Sequence, residues 1–416
     1  MTGLLDGIHV LDLTTMGTGP YATQILAEYG AEIIKLEAPD GDPIRNVGPA
    51  RHAKMSSMFL GLGAGKRSLA LDLRRPEARP AFEQLVARAD VVIHNMRDPA
   101  AKKLGLSFED LRKINPGVVH CAILGFDRGG PYTDRPAYDD LIQGLVALPD
   151  LMHRSGGETQ YVPLAMADRI TGLFAAEAVL AAVVARLRSG KAQSVVVPMF
   201  EALAGFVLGD HLYGRNFVPP EGEMGYPRHL NPYRRPFRTS DGYIGVLPYT
   251  DRQWQSLFRT IGVPELGEDP RFAELYERSA NIAALYEIVG KHLIARTTAE
   301  WLAAFEAADI PAMRTNTLET LIDDPQLKAV GLIREEEHPS EGRILRVRGA
   351  VHWEGEDDTA PPPLAPRLGE HGVEVLRDAG VGEAEIADLV RAGVLRLPAE
   401  AGPQTSQENA QGGQRS

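Results

Sequence analysis

The chain has 416 residues and carries 56 acidic against 44 basic side chains, a formal net charge of −12. That mean field repels nucleic acid, so an anionic ligand must be met by basic groups gathered locally. The length predicts two lobes rather than one core, and a single cysteine excludes an internal disulfide, which suits a reducing, cytoplasmic setting.

The opening segment MTGLLDGIHVLDL has no basic stretch ahead of an apolar block, so no signal peptide is expected. Ile8–Leu13 reads as a strand, Pro20–Tyr29 as a helix and Ala31–Glu37 as a second strand. Ser68–Leu73 reads as a short strand or extended segment. The helix Arg79–Arg88 leads into a strand over Asp90–Asn95, and the helix Phe108–Ile114 into Val118–Leu124, where Cys121 reads as a packed thiol. Short β-branched runs between amphipathic helices predict a parallel sheet covered on both faces. The long helix after Asp168 then feeds a strand over Ser194–Met199 and another helix through Gly209. Its longest apolar run, Leu173–Val184, is shorter than a bilayer crossing and contains Glu177, so no membrane span is expected.

After Tyr213 the Gly-, Pro- and Arg-rich GRNFVPPEGEMGYPRHLNPYRRP reads as a loop, with Gly222 and Gly225 as candidates for a covering flap. Asp241-Gly242 predicts a hairpin turn, followed by helices near Gln253–Ile261, Ile282–Ala295 and Ala299–Ala308. The expected domains are 1–213 (large, first part), 214–320 (small, α+β) and 321–397 (return to the large domain). Within the last, 354–366 is an acidic, proline-rich connector; after it, 398–416 is a tail too polar to pack.

Three features suggest chemistry. Asp168 stands at the mouth of the apolar helix, where a carboxylate either caps the helix or is held partly desolvated as a nucleophile. GTGPYA (Gly17–Ala22), with Glu37 at the next strand end, formally meets the dinucleotide pattern G-x-G-x-x-A, although Pro20 removes one N–H that a pyrophosphate would use. A looser reading is that these glycines only allow a tight strand-to-helix turn. Basic groups at strand ends and turns include Lys35, Arg45, Lys66, Arg67, Arg97, Lys102 and Lys103, at least half of them expected to be merely solvated. Lys66-Arg67, after GLGAG, is the pair best suited to phosphate. The 11 histidines show no metal-ligand spacing, and no metal is expected.

The ordered set LLDGIHVLDLT with a following Gly-Pro, GAEIIKLEAPDGDPIR, GKRSLALDL, ADVVIHNMR, NPGVVHCAILGF with GPY, RPAYD, the helix opened by Asp168, the DGYI segment and LGEHGVEVL resembles the class III CoA-transferases of the formyl-CoA transferase type. Their relatives include the α-methylacyl-CoA racemases. The resemblance runs from about Leu4 to about Leu397. It implies an α/β fold, with a large Rossmann-like parallel-sheet domain built from both chain ends, a smaller α+β domain, and an interlocked homodimer. It implies that Asp168 is the nucleophile, that Met16, Leu71, Asn95, Met96 and Lys103 contact coenzyme A, and that Tyr138 lies near the active site. Arg97, Arg135, Lys66 and Arg67 are added as candidates for phosphate contacts. Ala38 and Met96 depart from residues common in the family, arginine and phenylalanine.

The implied activity is transfer of coenzyme A from an acyl-CoA donor to a free carboxylic acid through aspartyl anhydride and aspartyl-CoA intermediates. Acyl-CoA is then a substrate, and no tightly bound cofactor is expected. The alternatives are a 2-methylacyl-CoA racemase or epimerase, with Tyr138 where racemases have a histidine and with His120 or His153 as possible bases. Others are intramolecular CoA transfer, a silent binding subunit, and a nucleotide-dependent oxidoreductase built on GTGPYA.

Overall fold

A computed structural model describes residues 3–351 and 362–398. Most of the connector 354–366 and nearly all of the tail 398–416 lie outside the described residues. Seven strands form the main sheet: β1 (His9–Asp12), β2 (Glu32–Glu37), β3 (Lys66–Leu71), β4 (Val91–His94), β5 (Val119–Leu124), β6 (Gln193–Pro198) and β12 (Leu395–Arg396), in the order β12-β3-β2-β1-β4-β5-β6. Every pairing is parallel except β12 on β3. This is the doubly wound order with an added antiparallel edge strand, and the winding reverses between β1 and β4. Loops leaving the carboxyl ends of those two strands diverge there and open a crevice.

Alternation along the strands feeds two cores, one on each face. Leu11, Leu13, Val92 and Leu69 join Phe82, Leu85 and Leu376 on one side. Val10, Ile33, Val91, Ile93 and Cys121 join Leu26, Val179 and Val183 on the other. The long helix Met166–Ser189 buries Ala167, Thr171, Gly172, Ala175, Ala176, Val179, Ala182 and Val183, a face of mostly small residues spaced three or four apart. Small residues let it come close to the helix Thr18–Glu28: a Cβ on Gly172 would stand 2.9 Å from the Thr18 carbonyl. By length and composition this 24-residue helix could cross a membrane, so the shorter run Leu173–Val184 understated it; here its small-residue face packs in the core.

Two compact units emerge. The first comprises Met1–Ile142, Pro163–Ala204 and Val330–Ser416, the second Gln143–Val162 and Gly205–Ala329. The expected boundaries at 213/214 and 320/321 are therefore shifted, and the segment Gln143–Val162 moves to the second unit. Its partners are distant in sequence: a Cβ on Gly156 would meet Pro232 at 2.5 Å. The first unit also holds a hairpin unannounced by any hydrophobic run, β10 (Ile333–His338) with β11 (Gly342–Val347). The second unit pairs β7 (Phe237–Arg238), β8 (Tyr243–Val246) and β9 (Ala312–Arg314) into a small antiparallel sheet. Asp241-Gly242 does turn β7 into β8, with the Thr239 N–H donating to the Gly242 carbonyl at 2.9 Å. Trp254, Phe258, Phe272, Leu285, Trp301 and Phe305 fill that unit's core.

Candidate active site

Helices that follow parallel strands run back against them, so the helices Thr18–Glu28 and Met166–Ser189 both start at the carboxyl edge of the sheet. Between β1 and the first of them, residues 14–16 are held peptide by peptide. Asn95, just past β4, accepts from the Thr15 N–H at 3.0 Å and donates to the Thr15 carbonyl at 2.8 Å. The Met16 N–H donates to Asp42 at 2.9 Å, and Lys35 Nζ donates to the Thr14 carbonyl at 2.9 Å. Met16 itself has φ of +68°, a conformation a non-glycine residue adopts only when its surroundings impose it. The loop is thus preorganised at the switch point.

Below the loop lies a buried charge cluster. Lys66 donates to Asp12 at 3.1 Å, to Thr23 at 2.7 Å and to the Pro20 carbonyl at 2.9 Å. Lys35 pairs with Asp42 at 2.9 Å. Arg45 grips Glu37 through two bonds of 2.7 and 2.8 Å and stacks on Phe59. Three cations and three carboxylates balance, which is what burial demands. Burial alone would raise the Asp12 carboxyl; Lys66 and Lys35, with hydroxyl donors from Thr14 and Thr23, overcome it and hold it at about 2. Burial pulls Lys66 down to about 8.

Several sequence expectations are corrected by this cluster. Lys35, Arg45 and Lys66 are not solvated but at most 2 % exposed. Lys66 is therefore unavailable to a phosphate. Arg67 faces elsewhere, paired with Glu32, Glu374 and Asp378 at 2.6–2.8 Å. Glu37, the residue a dinucleotide ribose would need, is consumed by Arg45, Ser68 and the Asp42 N–H. The glycines serve local fit: a Cβ on Gly19 would stand 2.2 Å from Thr14, and one on Gly17 would stand 2.4 Å from Asp168 Oδ2.

That last distance locates the central group. Asp168 is not the cap of its helix; Ala165 holds the cap position and bonds nothing there through its side chain. Instead Asp139, 29 residues upstream, accepts the Asp168 N–H at 2.9 Å. The Asp168 carboxylate turns the other way, against Gly17, and accepts from the Thr18 hydroxyl at 2.5 Å. It is half-buried. Burial raises its pKa above the usual aspartate value, the nearby Asp139 charge adds to that, and Thr18 and Arg169 oppose it. Arg169 is itself stacked over Tyr21, 4.4 Å from the ring centre. The result is a partly desolvated carboxylate beside a helix start, with no bonded cation among the described residues.

The other expected contacts fall into three groups. Met16, Asn95 and Met96 lie on the two loops at the switch point, joined through Thr15. Arg97 donates to the Asp134 carbonyl at 3.2 Å, and Arg128 pairs with Asp98, so the loop carrying Arg135 and Tyr138 is tied to the loop after β4. Arg135 stacks on Tyr132, Tyr138 is 66 % exposed, and Lys103 is exposed at the end of the helix Asp98–Lys103. Leu71 also ends a strand at this edge, yet its side chain is a core residue packed with the Met96 cluster, so only its main chain could meet a ligand. Sequence reading missed Thr18, Asp139 and Asp42, whose roles arise from pairings across 150, 29 and 26 residues.

The histidines sort equally clearly. His120 is buried in a chain with His94 at 3.1 Å and Ser194 at 3.0 Å, and burial drives His94 down to about 4 and His120 to about 3. Neither is placed to shuttle a proton at neutral pH. Cys121 is fully buried and pushed up to about 12, a packed thiol as expected. In the second unit, Asp210, His211 and His229 bring potential metal-ligand atoms within 4.8 Å of one another, a grouping that sequence spacing hid. The His211 Nδ1 already accepts from the Tyr226 N–H, and burial, with Arg234 and Arg228 nearby, opposes protonation of His229. Gly222 and Gly225 lie in the same unit, Gly222 against the Gly214 backbone and Gly225 at φ of +103°.

Comparison with known proteins matches this architecture. The profile for CoA-transferase family III matches residues 5–372. Mouse succinyl-CoA:glutarate CoA-transferase is 30% identical over 94% of this chain and 90% of its own. Acetyl-CoA:oxalate CoA-transferase from Acetobacter aceti is 30% identical over 92% and 97% respectively. Among solved structures, a CAIB/BAIF family protein from Brucella suis superposes with a TM-score of 0.78 at 32% identity, over 91% of this chain and all of that one. The chain belongs to CoA-transferase family III, and it is an acyl-CoA:carboxylate CoA-transferase.

Proposed function

We propose that this family III enzyme exchanges coenzyme A between an acyl-CoA and a free acid by covalent catalysis on Asp168. The observation that carries the reading is the Asp168 carboxylate, half-buried, turned away from capping, and bonded among the described residues through the Thr18 hydroxyl. A nucleophile must keep a lone pair available, and partial desolvation raises its basicity. Met16, Asn95 and Met96 at the switch point, with Arg97, Arg135, Tyr138 and Lys103 on the neighbouring loops, form the proposed surface for coenzyme A.

The steps balance as acyl exchange. An Asp168 oxygen attacks the donor thioester carbon; the C–S bond breaks, coenzyme A leaves as thiolate, and a mixed anhydride remains. The thiolate then attacks the aspartyl carbon, releasing the donor carboxylate and leaving Asp168 as a CoA thioester. The acceptor carboxylate attacks that carbon and expels the thiolate again. Finally the thiolate takes the acceptor acyl group, and the Asp168 carboxylate is regenerated. Each tetrahedral oxyanion needs fixed donors, and main-chain N–H groups at the start of the helix Thr18–Glu28 are suited to that.

Racemisation would require a second acid/base opposed to Asp168. His120 is buried among His94 and Ser194 and unable to serve, which removes one of the two expected bases; the other, His153, belongs to the second unit. The relatives named above act on succinyl-CoA with glutarate and on acetyl-CoA with oxalate, so dicarboxylic acids are the first acceptors to assay. The enzyme is further proposed to act as an interlocked homodimer. Leu173, Phe174, Val184 and Leu187 on the long helix, with Phe206 and Leu208 on Met199–His211, are all at least 38 % exposed and supply apolar surface for a second copy.

The direct test is Asp168→Ala. It should abolish transfer while leaving circular dichroism and thermal midpoint near the parent's; transfer within about tenfold of the parent rate would remove Asp168 from the mechanism.

A further inference from the structure

The geometry points to Asp139 as the positioning residue of the Asp168 site: it caps the nucleophile's helix from outside, so that Asp168 need not spend its own carboxylate there. The inference rests on the nucleophile reading above and extends it to a second carboxylate.

Three observations converge. The helix Met166–Ser189 has no capping side chain of its own, since Ala165 holds that place. The first-turn N–H groups of any helix lack partners inside the helix and must find an acceptor. Asp139, at the start of the helix Asp139–Leu145, supplies one by accepting the Asp168 N–H at 2.9 Å. An aspartate at the third helical position would otherwise be drawn to the helix's own N–H groups; here its side chain lies against Gly17 and meets the Thr18 hydroxyl.

The second effect is electrostatic. The groups facing Asp168 are Thr18 from the helix Thr18–Glu28, Asp139 from its own helix, and Arg169 from the same helix as Asp168. Thr18 and Arg169 favour the charged carboxylate. Asp139 is the one like charge among them and disfavours it, adding to burial. A carboxylate with a higher proton affinity is the stronger nucleophile once ionised, while its acid limb lies at higher pH.

The variants Asp139→Asn and Asp139→Ala separate the two effects. Asparagine keeps an oxygen that accepts the Asp168 N–H but removes the charge; alanine removes both. The Asp168 titration is read by carboxyl 13C NMR on the aspartate-labelled full chain, its resonance identified by loss in Asp168→Asn. The midpoint in Asp139→Asn should fall by roughly half a pH unit or more, and the acid limb of kcat for acyl-CoA:carboxylate exchange should move down with it. Asp139→Ala should lose at least about tenfold in kcat, with most of that recovered in Asp139→Asn and KM for acyl-CoA little changed. An unmoved NMR midpoint in folded Asp139→Asn overturns the electrostatic role. Equal kcat in parent and alanine variants overturns the positioning role. Because the NMR midpoint does not depend on turnover, a shifted midpoint with an unshifted kcat limb would instead count against Asp168 as nucleophile.

Discussion

At the scale of single residues, the site is defined by what keeps other groups out of the Asp168 carboxylate's way. Gly17 is the sharpest case. Its φ of −93° and ψ of −57° suit any residue, so Gly17→Ala strains no backbone. The added methyl would nevertheless lie 2.4 Å from Asp168 Oδ2. Gly17→Ala should therefore keep or slightly raise the thermal midpoint while kcat falls by about tenfold or more; steady-state kinetics beside calorimetry checks this, and an unchanged kcat would mean the carboxylate is not used where it sits. Arg67→Ala, by contrast, should leave the Kd for coenzyme A unchanged, measured by titration calorimetry, because its three carboxylate partners hold it elsewhere. Asp168 was legible as a capping or catalytic carboxylate, since it opens the longest apolar helix. The choice between those roles was not, because the competing cap comes from Asp139. Lys66 misled for a similar reason: beside glycines it resembles a phosphate ligand, and its true partner Asp12 lies 54 residues away.

At the scale of elements, the glycine loop is held by a charge cluster that a sequence window cannot see. Its removal should register as stability before affinity. Lys66→Met leaves Asp12 buried without its partner and should cost about 3–5 kcal/mol in denaturant unfolding. The pH dependence has a definite sign. The Asp12 carboxyl titrates at about 2 in the fold against an ordinary 3.8. A lowered carboxylate contributes stability that is present above its unfolded pKa and lost as pH falls towards 2. Its share is about 2 kcal/mol, and Asp12→Asn should flatten that part of an acid unfolding profile between pH 4 and 2. The central strands were legible from their β-branched runs because both faces are buried. β12 was not, since two residues carry no pattern, and β10 and β11 were hidden by charges such as those in REEEH.

At the scale of the whole molecule, fold class was readable because strand–helix alternation persists through β6, and the doubly wound order then fixes the switch point between β1 and β4. The unit boundaries were less so. Gln143–Val162 leaves the first unit's chain segment and joins the second through contacts such as Gly156 with Pro232, which no local composition announces. The exposed apolar side chains on Met166–Ser189 and Met199–His211 carry the proposal of a dimer. Light scattering on the purified chain should give about twice its 45.2 kDa, and a monomer at micromolar concentration would rule out the interlocked assembly.

The covalent role of Asp168 is tested most directly by incubating the enzyme with acyl-CoA alone, quenching with hydroxylamine, and mapping the modified peptide by mass spectrometry. Covalent catalysis predicts a hydroxamate on Asp168 and on no other acidic residue, absent when acyl-CoA is omitted. Turnover that continues with Asp168 unmodified, or with the mark on a different side chain, would contradict it.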